Sequence, residues 1–281
     1  MMKIYINTNK FQKIAALVSK YSFERYGLKS VELIEFEQIS LLHNRVNHSY
    51  IRNNQLKKFK DDLQSFTLLR LFGPQLANYS GHVLSIDPDI FAISDPTKEI
   101  DKLEKSNNNI SCPFNNGKIR TEVIAFNCNK INWSHQKLLE NLFNLKLDYN
   151  HLLNLSFVNE SIGRISENLN KLDAINEDTV LLHTTNRITQ PWKIGLKIDF
   201  EKYYSRNFLI KENLKKIFFL NYDRHAISNK YLMHENKKVF NTICELFKEA
   251  YASGYFTKKM LHESLRNKYI SKKFCKICEF I

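Results

Sequence analysis

The stretch Gly81-His82-Val83-Leu84-Ser85-Ile86-Asp87-Pro88-Asp89-Ile90-Phe91-Ala92-Ile93-Ser94-Asp95 decides how this chain is read. Val83, Leu84 and Ile86 form a short apolar run suited to a buried strand, and two acids follow at i and i+2. In an extended chain residues two apart share a face, so Asp87 and Asp89 can converge on one point. Pro88 fixes its own φ and biases Asp87 away from the helical region, which predicts an extended pair. Converging carboxylates repel unless a cation lies between them, and a hard divalent ion with oxygen ligands suits them. An isolated Asp-x-Asp is more often a solvated turn, so the rest of the chain must carry the argument.

On the N-terminal side, Lys3 to Ile6 reads as a strand, Phe11 to Tyr26 as an amphipathic helix and Val31 to Phe36 as a second strand. This strand-helix-strand opening predicts an α/β sheet. Arg45 to Lys60 is polar and without periodicity, which predicts a surface loop. Asp61 or Asp62 is placed to cap a helix running to about Ala77, with Leu63, Phe66, Leu69 and Leu71 on its apolar face. Beyond the acids, Asp95-Pro96 has the arrangement that starts a helix. Ser106 to Lys118, rich in Asn, Ser and Gly, predicts a loop, Thr121 to Asn127 a strand, and Trp133-Ser134 the entry to a helix reaching Phe143. Short strands and turns are expected between Leu147 and Asp178, then an apolar run from Thr179 to Leu182 ending at His183. From about Leu209 the pattern is helical and basic. These shifts predict a domain over 1–205 and a basic helical segment over 206–281, with the boundary near Ser205.

Composition supports a folded chain. Of 281 residues, 43% are hydrophobic and 12% aromatic, which excludes disorder, and only 7 Gly and 5 Pro exclude collagen-like and Gly/Pro-rich classes. No apolar run reaches the length of a spanning helix, and Met1 to Asn7 lacks the apolar region of a signal peptide, so a cytoplasmic protein is expected. The five cysteines, Cys112, Cys128, Cys244, Cys275 and Cys278, are odd in number and scattered, a poor disulfide framework suited to a reducing compartment. Cys275 and Cys278 make a lone CxxC, short of the four ligands of a structural zinc site. The formal charge of +13 calls for an anionic partner. No helix-turn-helix, zinc-finger or RNP-type motif is present, so nucleic acid is not expected. Peripheral contact with an anionic membrane, or a phosphorylated substrate, remains.

A second constellation lies nearly a hundred residues after the acids, in Leu181-Leu182-His183-Thr184-Thr185-Asn186-Arg187-Ile188-Thr189-Gln190-Pro191-Trp192-Lys193-Ile194-Gly195. A neutral His183 at a strand end is a candidate metal ligand, and Arg187 and Lys193 can neutralise phosphate oxygens. By itself, a His in that position is more often a satisfied structural residue.

Together the two constellations resemble the GT-A fold glycosyltransferases, close to the family 8 group. Ile86-Asp87-Pro88-Asp89 and Ser94-Asp95-Pro96 match the layout of that family's Asp-x-Asp strand. Phe66-Thr67-Leu68-Leu69-Arg70-Leu71-Phe72-Gly73-Pro74 resembles its preceding helix, and Glu122 to Trp133 its strand-and-Trp segment. The block from His183 to Gly195 is similar to its closing His…Lys-Pro-Trp-x-x-Gly, with Gln190 standing where the family has the Lys before Pro-Trp, and Thr189 to Phe200 resembles a bacterial subset of sugar transferases. The resemblance covers roughly residues 3 to 200 and implies a Rossmann-like mixed sheet flanked by helices, with a helical C-terminal extension.

It further implies a metal-dependent, retaining hexosyltransferase that moves a sugar from a nucleoside-diphosphate donor, a UDP-sugar, to a glycan or lipid-linked acceptor. Asp87, Asp89 and His183 would be the metal ligands, and the His tilts the choice to Mn²⁺ over Mg²⁺. Arg70, Arg187 and Lys193 would meet phosphates and Asn7 the nucleotide base. Asp89, Lys193 and Asp173 are the candidate catalytic groups, with Asn170 positioning the sugar and Asp148 and Glu160 as further carboxylates of the acceptor region. Two other classes are consistent with parts of the pattern. One is a basic nucleic-acid- or membrane-binding protein without catalysis. The other is a metal-dependent phosphohydrolase, although the haloacid-dehalogenase type would want its acids after the first strand.

Overall fold

A computed structural model describes residues 1–59, 64–159, 161–200, 206–218, 220–221 and 223–280. The chain divides into two compact units, Met1–His183 and Thr184–Ile281. The expected boundary at Ser205, the proposed cap at Asp61 or Asp62, and Glu160 lie outside the described residues.

The first unit opens with β1 (Lys3–Thr8), α1 (Lys13–Glu24) and β2 (Val31–Glu35), as the sequence predicts. A short helix, α2 (Ser40–His43), leads to a hairpin of β3 (Ser49–Arg52) and β4 (Gln55–Lys58). The hairpin replaces the expected loop. Its connection is Asn53-Asn54, with φ of 53° and 58°, and a two-residue turn with both φ values positive matches the twist of paired strands. Tyr50 and Phe59 are buried in the core beneath it.

The predicted helix ending near Ala77 is instead a 3-10 run, Ser65–Leu71, followed by the short α3 (Gly73–Leu76). Every residue of Ser65–Leu71 is buried, so this segment has no solvent face on which an amphipathic helix could rest. Gly73 permits its close approach to the sheet, because a Cβ there would lie 2.9 Å from Val83 Cγ1.

Next come β5 (His82–Ile86), β6 (Ile90–Ala92) and α4 (Thr97–Glu104). The helix begins one residue later than the Asp95-Pro96 pattern predicts, with Pro96 as its N-cap, and Asp95 accepts from the Thr97 N–H at 2.9 Å just ahead of it. The expected loop after it contains β7 (Ile110–Cys112), which is fully buried, and a small hairpin of β8 (Phe114–Asn115) and β9 (Lys118–Ile119). There follow β10 (Val123–Asn127), α5 (His135–Phe143) capped by Ser134, α6 (Tyr149–Leu153), β11 (Gly163–Arg164), β12 (Lys171–Leu172) and β13 (Leu181–His183).

The main sheet has the order β11-β7-β10-β5-β1-β2. Strands β2, β1 and β5 are parallel and β10 runs antiparallel beside β5, so the sheet is mixed. Alternation along its strands divides the core in two. Tyr5, Val83, Ile124 and Phe126 face the side covered by the 3-10 run and α5, whereas Ile4, Ile6, Leu84, Ile86 and Ala125 face the side of α1. A second sheet of order β12-β13-β6 gathers the strand ends that matter for the site.

The second unit starts with two 3-10 turns, Arg187–Thr189 and Pro191–Lys193, and continues as helices. These are α7 (Arg206–Ile217), α8 (Arg224–Ile227), α9 (Lys237–Ala252), α10 (Lys258–Arg266) and α11 (Lys272–Ile277). Asn236, Thr257 and Ser271 cap the last three through side-chain oxygens. Trp192, stacked on Phe247 at 5.8 Å, joins Phe256 and Phe274 in an aromatic core. One expectation is overturned here: Cys244 and Cys278 form a disulfide, with Cα atoms 5.1 Å apart. Sequence spacing could not pair them because α9 and α11 become neighbours only through the fold. The CxxC is therefore divided, with Cys278 bonded and Cys275 a buried free thiol. Among the described residues no helix is long and apolar enough to cross a membrane.

Candidate functional site

The site forms where β5 ends and β6 begins. Asp87 follows Ile86 directly, and its N–H donates to the Glu122 carbonyl at 3.0 Å, which extends the antiparallel pairing of β5 with β10 by one bond. Pro88 and Asp89 then form a turn into β6, so the acids are brought together by a reversal and not by the extended geometry expected from the sequence. β6 pairs antiparallel with β13 in a register that sets Ile90 opposite His183. Asp89 immediately precedes Ile90 and is thereby delivered to the imidazole, with Oδ1 3.5 Å from His183 Nε2.

One ligand atom from each of Asp87, Asp89 and His183 lies within 4.8 Å of the others. Two carboxylate oxygens and one imidazole nitrogen make a donor set that accepts Mn²⁺ readily and Mg²⁺ acceptably. The surroundings organise that set. His183 Nδ1 lies 2.8 Å from Asn170 Oδ1, which can only accept, so Nδ1–H is the donor there and Nε2 is the nitrogen that faces Asp89. Asn170 stands just before β12, whose parallel pairing sets Leu172 opposite His183. Burial lowers the His183 pKa, but Asp89, Glu122 and Asp87 outweigh it and hold the ring above its ordinary value.

Asp87 is clamped. Arg70, from the buried 3-10 run, donates Nε–H to Asp87 Oδ1 at 2.8 Å and a second N–H to Oδ2, a two-pronged pairing. Its remaining nitrogen donates to Thr121 Oγ1 at 3.1 Å. Both partners are inaccessible, at 6% and 4% exposure. Burial pushes the Asp87 carboxyl up to about 6 against the opposing pull of Arg70. Burial also works against the Arg70 charge, and Asp87 more than offsets it. Arg70, expected at phosphates, thus has its guanidinium engaged by Asp87.

Glu122 is a member of this network that sequence reasoning did not assign. It accepts from Arg120 Nε at 2.9 Å, and although burial raises its pKa, Arg70 and Arg120 bring it down to about 2. The Arg120-x-Glu122 spacing at the start of a strand was the available signal. Asn7, at the end of β1, donates to Ser85 Oγ at 2.9 Å and to the Ile86 carbonyl at 3.0 Å. Its own Oδ1 is buried and accepts no hydrogen bond from the described residues.

The remaining expected residues have these places. The Asp173 N–H donates to the His183 carbonyl at 2.9 Å, with Asp173 in a left-handed conformation at φ 49°. Asp148 caps α6 by accepting from the Asn150 N–H at 2.8 Å. Lys193 and Arg187 belong to the second unit. Lys193 is buried and donates to Asp199 Oδ2 at 2.7 Å and to the Tyr231 hydroxyl at 3.3 Å, and Tyr231 in turn donates to Asp199 Oδ1. Burial lowers the Lys193 pKa, partly countered by Asp199. Arg187 lies over the Phe200 ring at 4.2 Å. Tyr231 carried no signal in the sequence, since it sits 38 residues from Lys193 in a helix connection.

No protein-family model matches the chain, and no curated protein matches it. Among solved structures it is similar to the galactosyltransferase LgtC in complex with donor and acceptor sugar analogs. That likeness has 13% identity, covers 68% of this chain and 89% of that one, and has a TM-score of 0.46. It is also similar to the apo form of the glycosyltransferase GlyE in Streptococcus pneumoniae TIGR4, at 12% identity over 90% of this chain and 64% of that one, TM-score 0.45. A third is mouse xyloside xylosyltransferase 1, at 9% identity over 66% and 98%, TM-score 0.42. Likenesses this distant carry no functional argument, and any reading of activity rests on the residues of the site.

Proposed function

We propose that this chain is a metal-dependent, retaining glycosyltransferase of the GT-A type, moving a sugar from a UDP-sugar to a glycan or lipid-linked acceptor. The observation that supports the reading is the convergence of Asp87, Asp89 and His183 at the carboxyl ends of sheet strands, where open α/β folds place their ligands. Asp89 and His183 are the primary ligands in this reading, and Asp87, clamped by Arg70, is the third. A bound Mn²⁺ or Mg²⁺ would supply Lewis acidity to a diphosphate leaving group.

The chain's own residues supply orientation. Arg70 fixes the rotamer of Asp87, and Asn170 fixes the ring of His183. Asn7 Oδ1, beside the end of β5, is an acceptor suited to an N–H or hydroxyl of the nucleoside. Asp173 is tied through its backbone to His183 and is proposed to lie near the donor sugar. Lys193 and Arg187 are proposed phosphate contacts, and Lys193 must exchange Asp199 for the phosphate to take that role.

The reading is tested by a thermal-shift screen of nucleotide sugars with and without Mn²⁺, followed by assay of sugar release from any donor that stabilises the protein. A donor whose stabilisation requires Mn²⁺ and is lost in Asp89→Asn supports it. Absence of any stabilising nucleotide sugar, or stabilisation indifferent to a chelator, removes it.

A further inference from the structure

Helix α7 carries its apolar residues outward. Ile210, Leu214 and Ile217 follow i, i+4, i+7 spacing, and Phe218 continues the stripe past the helix end. Such spacing ordinarily marks a face against a core. Here Ile210 is 50% exposed, Leu214 48%, Ile217 65% and Phe218 68%, with Leu220 beyond them at 59%. The inward residue is instead Glu212, 3% exposed, which accepts from the Asp223 N–H at 2.7 Å and pairs with Lys215 at 2.7 Å. A polar anchor thus holds the helix while its apolar stripe faces solvent.

The stripe is flanked by cations. Ile210, Leu214, Phe218 and Leu220 line one open groove together with Lys211 and Lys215. Glu212 is the sole acid in Arg206–Ile217, and it is already paired inside. Apolar residues on one side of a helix with lysines along the flank make the pattern that settles into a lipid headgroup layer. The charge fits anionic phosphate headgroups and adds to the +13 of the chain. A second copy fits less well, since two-fold packing of this face would set Lys211 and Lys215 against the same lysines with no exposed acid on the helix between them.

We propose that α7 is an interfacial docking helix for an anionic lipid bilayer, with Ile210, Leu214, Ile217 and Phe218 entering the headgroup boundary and Lys211 meeting lipid phosphates. The proposal does not depend on sugar transfer.

Its test is cosedimentation of the full chain with vesicles of phosphatidylcholine alone and of phosphatidylcholine mixed with phosphatidylglycerol. The wild type partitions onto the mixed vesicles and is released by high salt. The charge-neutral double variant Leu214→Gln with Ile217→Gln partitions about tenfold less, and Lys211→Gln about fivefold less, at unchanged melting temperature. Equal binding of the Gln/Gln variant would show that net charge alone holds the protein to lipid and would overturn the proposal. So would equal binding to both vesicle types, or no vesicle binding with self-association in velocity sedimentation.

Discussion

The Nδ1–H of His183 donates to Asn170 Oδ1 at 2.8 Å, and this bond decides what the other ring nitrogen offers. With Nδ1 engaged by Asn170, Nε2 is the nitrogen left to face Asp89, 3.5 Å away, and to ligate an ion once it is deprotonated. Partners of this kind orient metal-bound imidazoles, and their loss typically weakens metal binding about 10- to 100-fold. Asn170→Ala is therefore expected to weaken Mn²⁺ binding by that factor in calorimetric titration, with the fold retained. Unchanged affinity would reduce Asn170 to a packing residue.

The Arg70–Asp87 pair is buried on both sides, so removing one partner strands the other. Arg70→Met is expected to cost about 3–5 kcal/mol in urea unfolding, because a buried carboxylate is left uncompensated. Adding Asp87→Asn to Arg70→Met should recover most of that loss. A single-variant cost below about 1 kcal/mol would mean that water reaches the pair.

His135 gives the fold a pH dependence of definite sign. It is 2% exposed, its Nε2 lies against the Leu71 carbonyl, and burial lowers its pKa to about 4. The unfolded chain takes up this proton near pH 6.5, whereas the folded chain resists until about pH 4. Its contribution is thus constant above about pH 6.5 and falls as pH drops toward 4. Urea unfolding at pH 5 should show roughly 2 kcal/mol less stability from this group than at pH 7. His135→Gln should flatten that part of the slope.

The Cys244–Cys278 bond closes a loop of 34 residues across α9 and α11. Reduction, or Cys244→Ser, is expected to lower the stability of the helical unit by about 3 kcal/mol. The check is a pair of thermal melts with and without a phosphine reductant. The reductant should shift the wild type and leave Cys244→Ser unmoved.

Legibility in the sequence followed the strength of the local pattern. β1, α1, β2 and β5 were readable because each has an apolar run or face and clear punctuation. The blocks that carry Asp87, Asp89 and His183 were readable for the same reason, since both end apolar strands, and the structure brings the three side chains together. Ile110–Cys112 was hidden because only three residues of strand stand among Asn and Ser, and their burial comes from β10 and β11 on either side. The hairpin at Asn53-Asn54 was missed because positive φ, and not hydrophobic alternation, defines it. The partners of the site were the least legible. Asn170, Glu122, Asp199 and Tyr231 act through contacts made by tertiary pairing, and no spacing rule connects Tyr231 with Lys193 or Thr121 with Arg70.

The most direct test of the central claim is calorimetric titration of UDP into wild type and Asp89→Asn, each with Mn²⁺ and with excess chelator. Wild type should bind UDP measurably only with Mn²⁺. Asp89→Asn should lose that binding while keeping its melting temperature, because the Asp89 side chain is 15% exposed and is not part of the Arg70 clamp. UDP binding that persists in chelator, or that is the same in Asp89→Asn as in wild type, would contradict a metal site built from Asp87, Asp89 and His183.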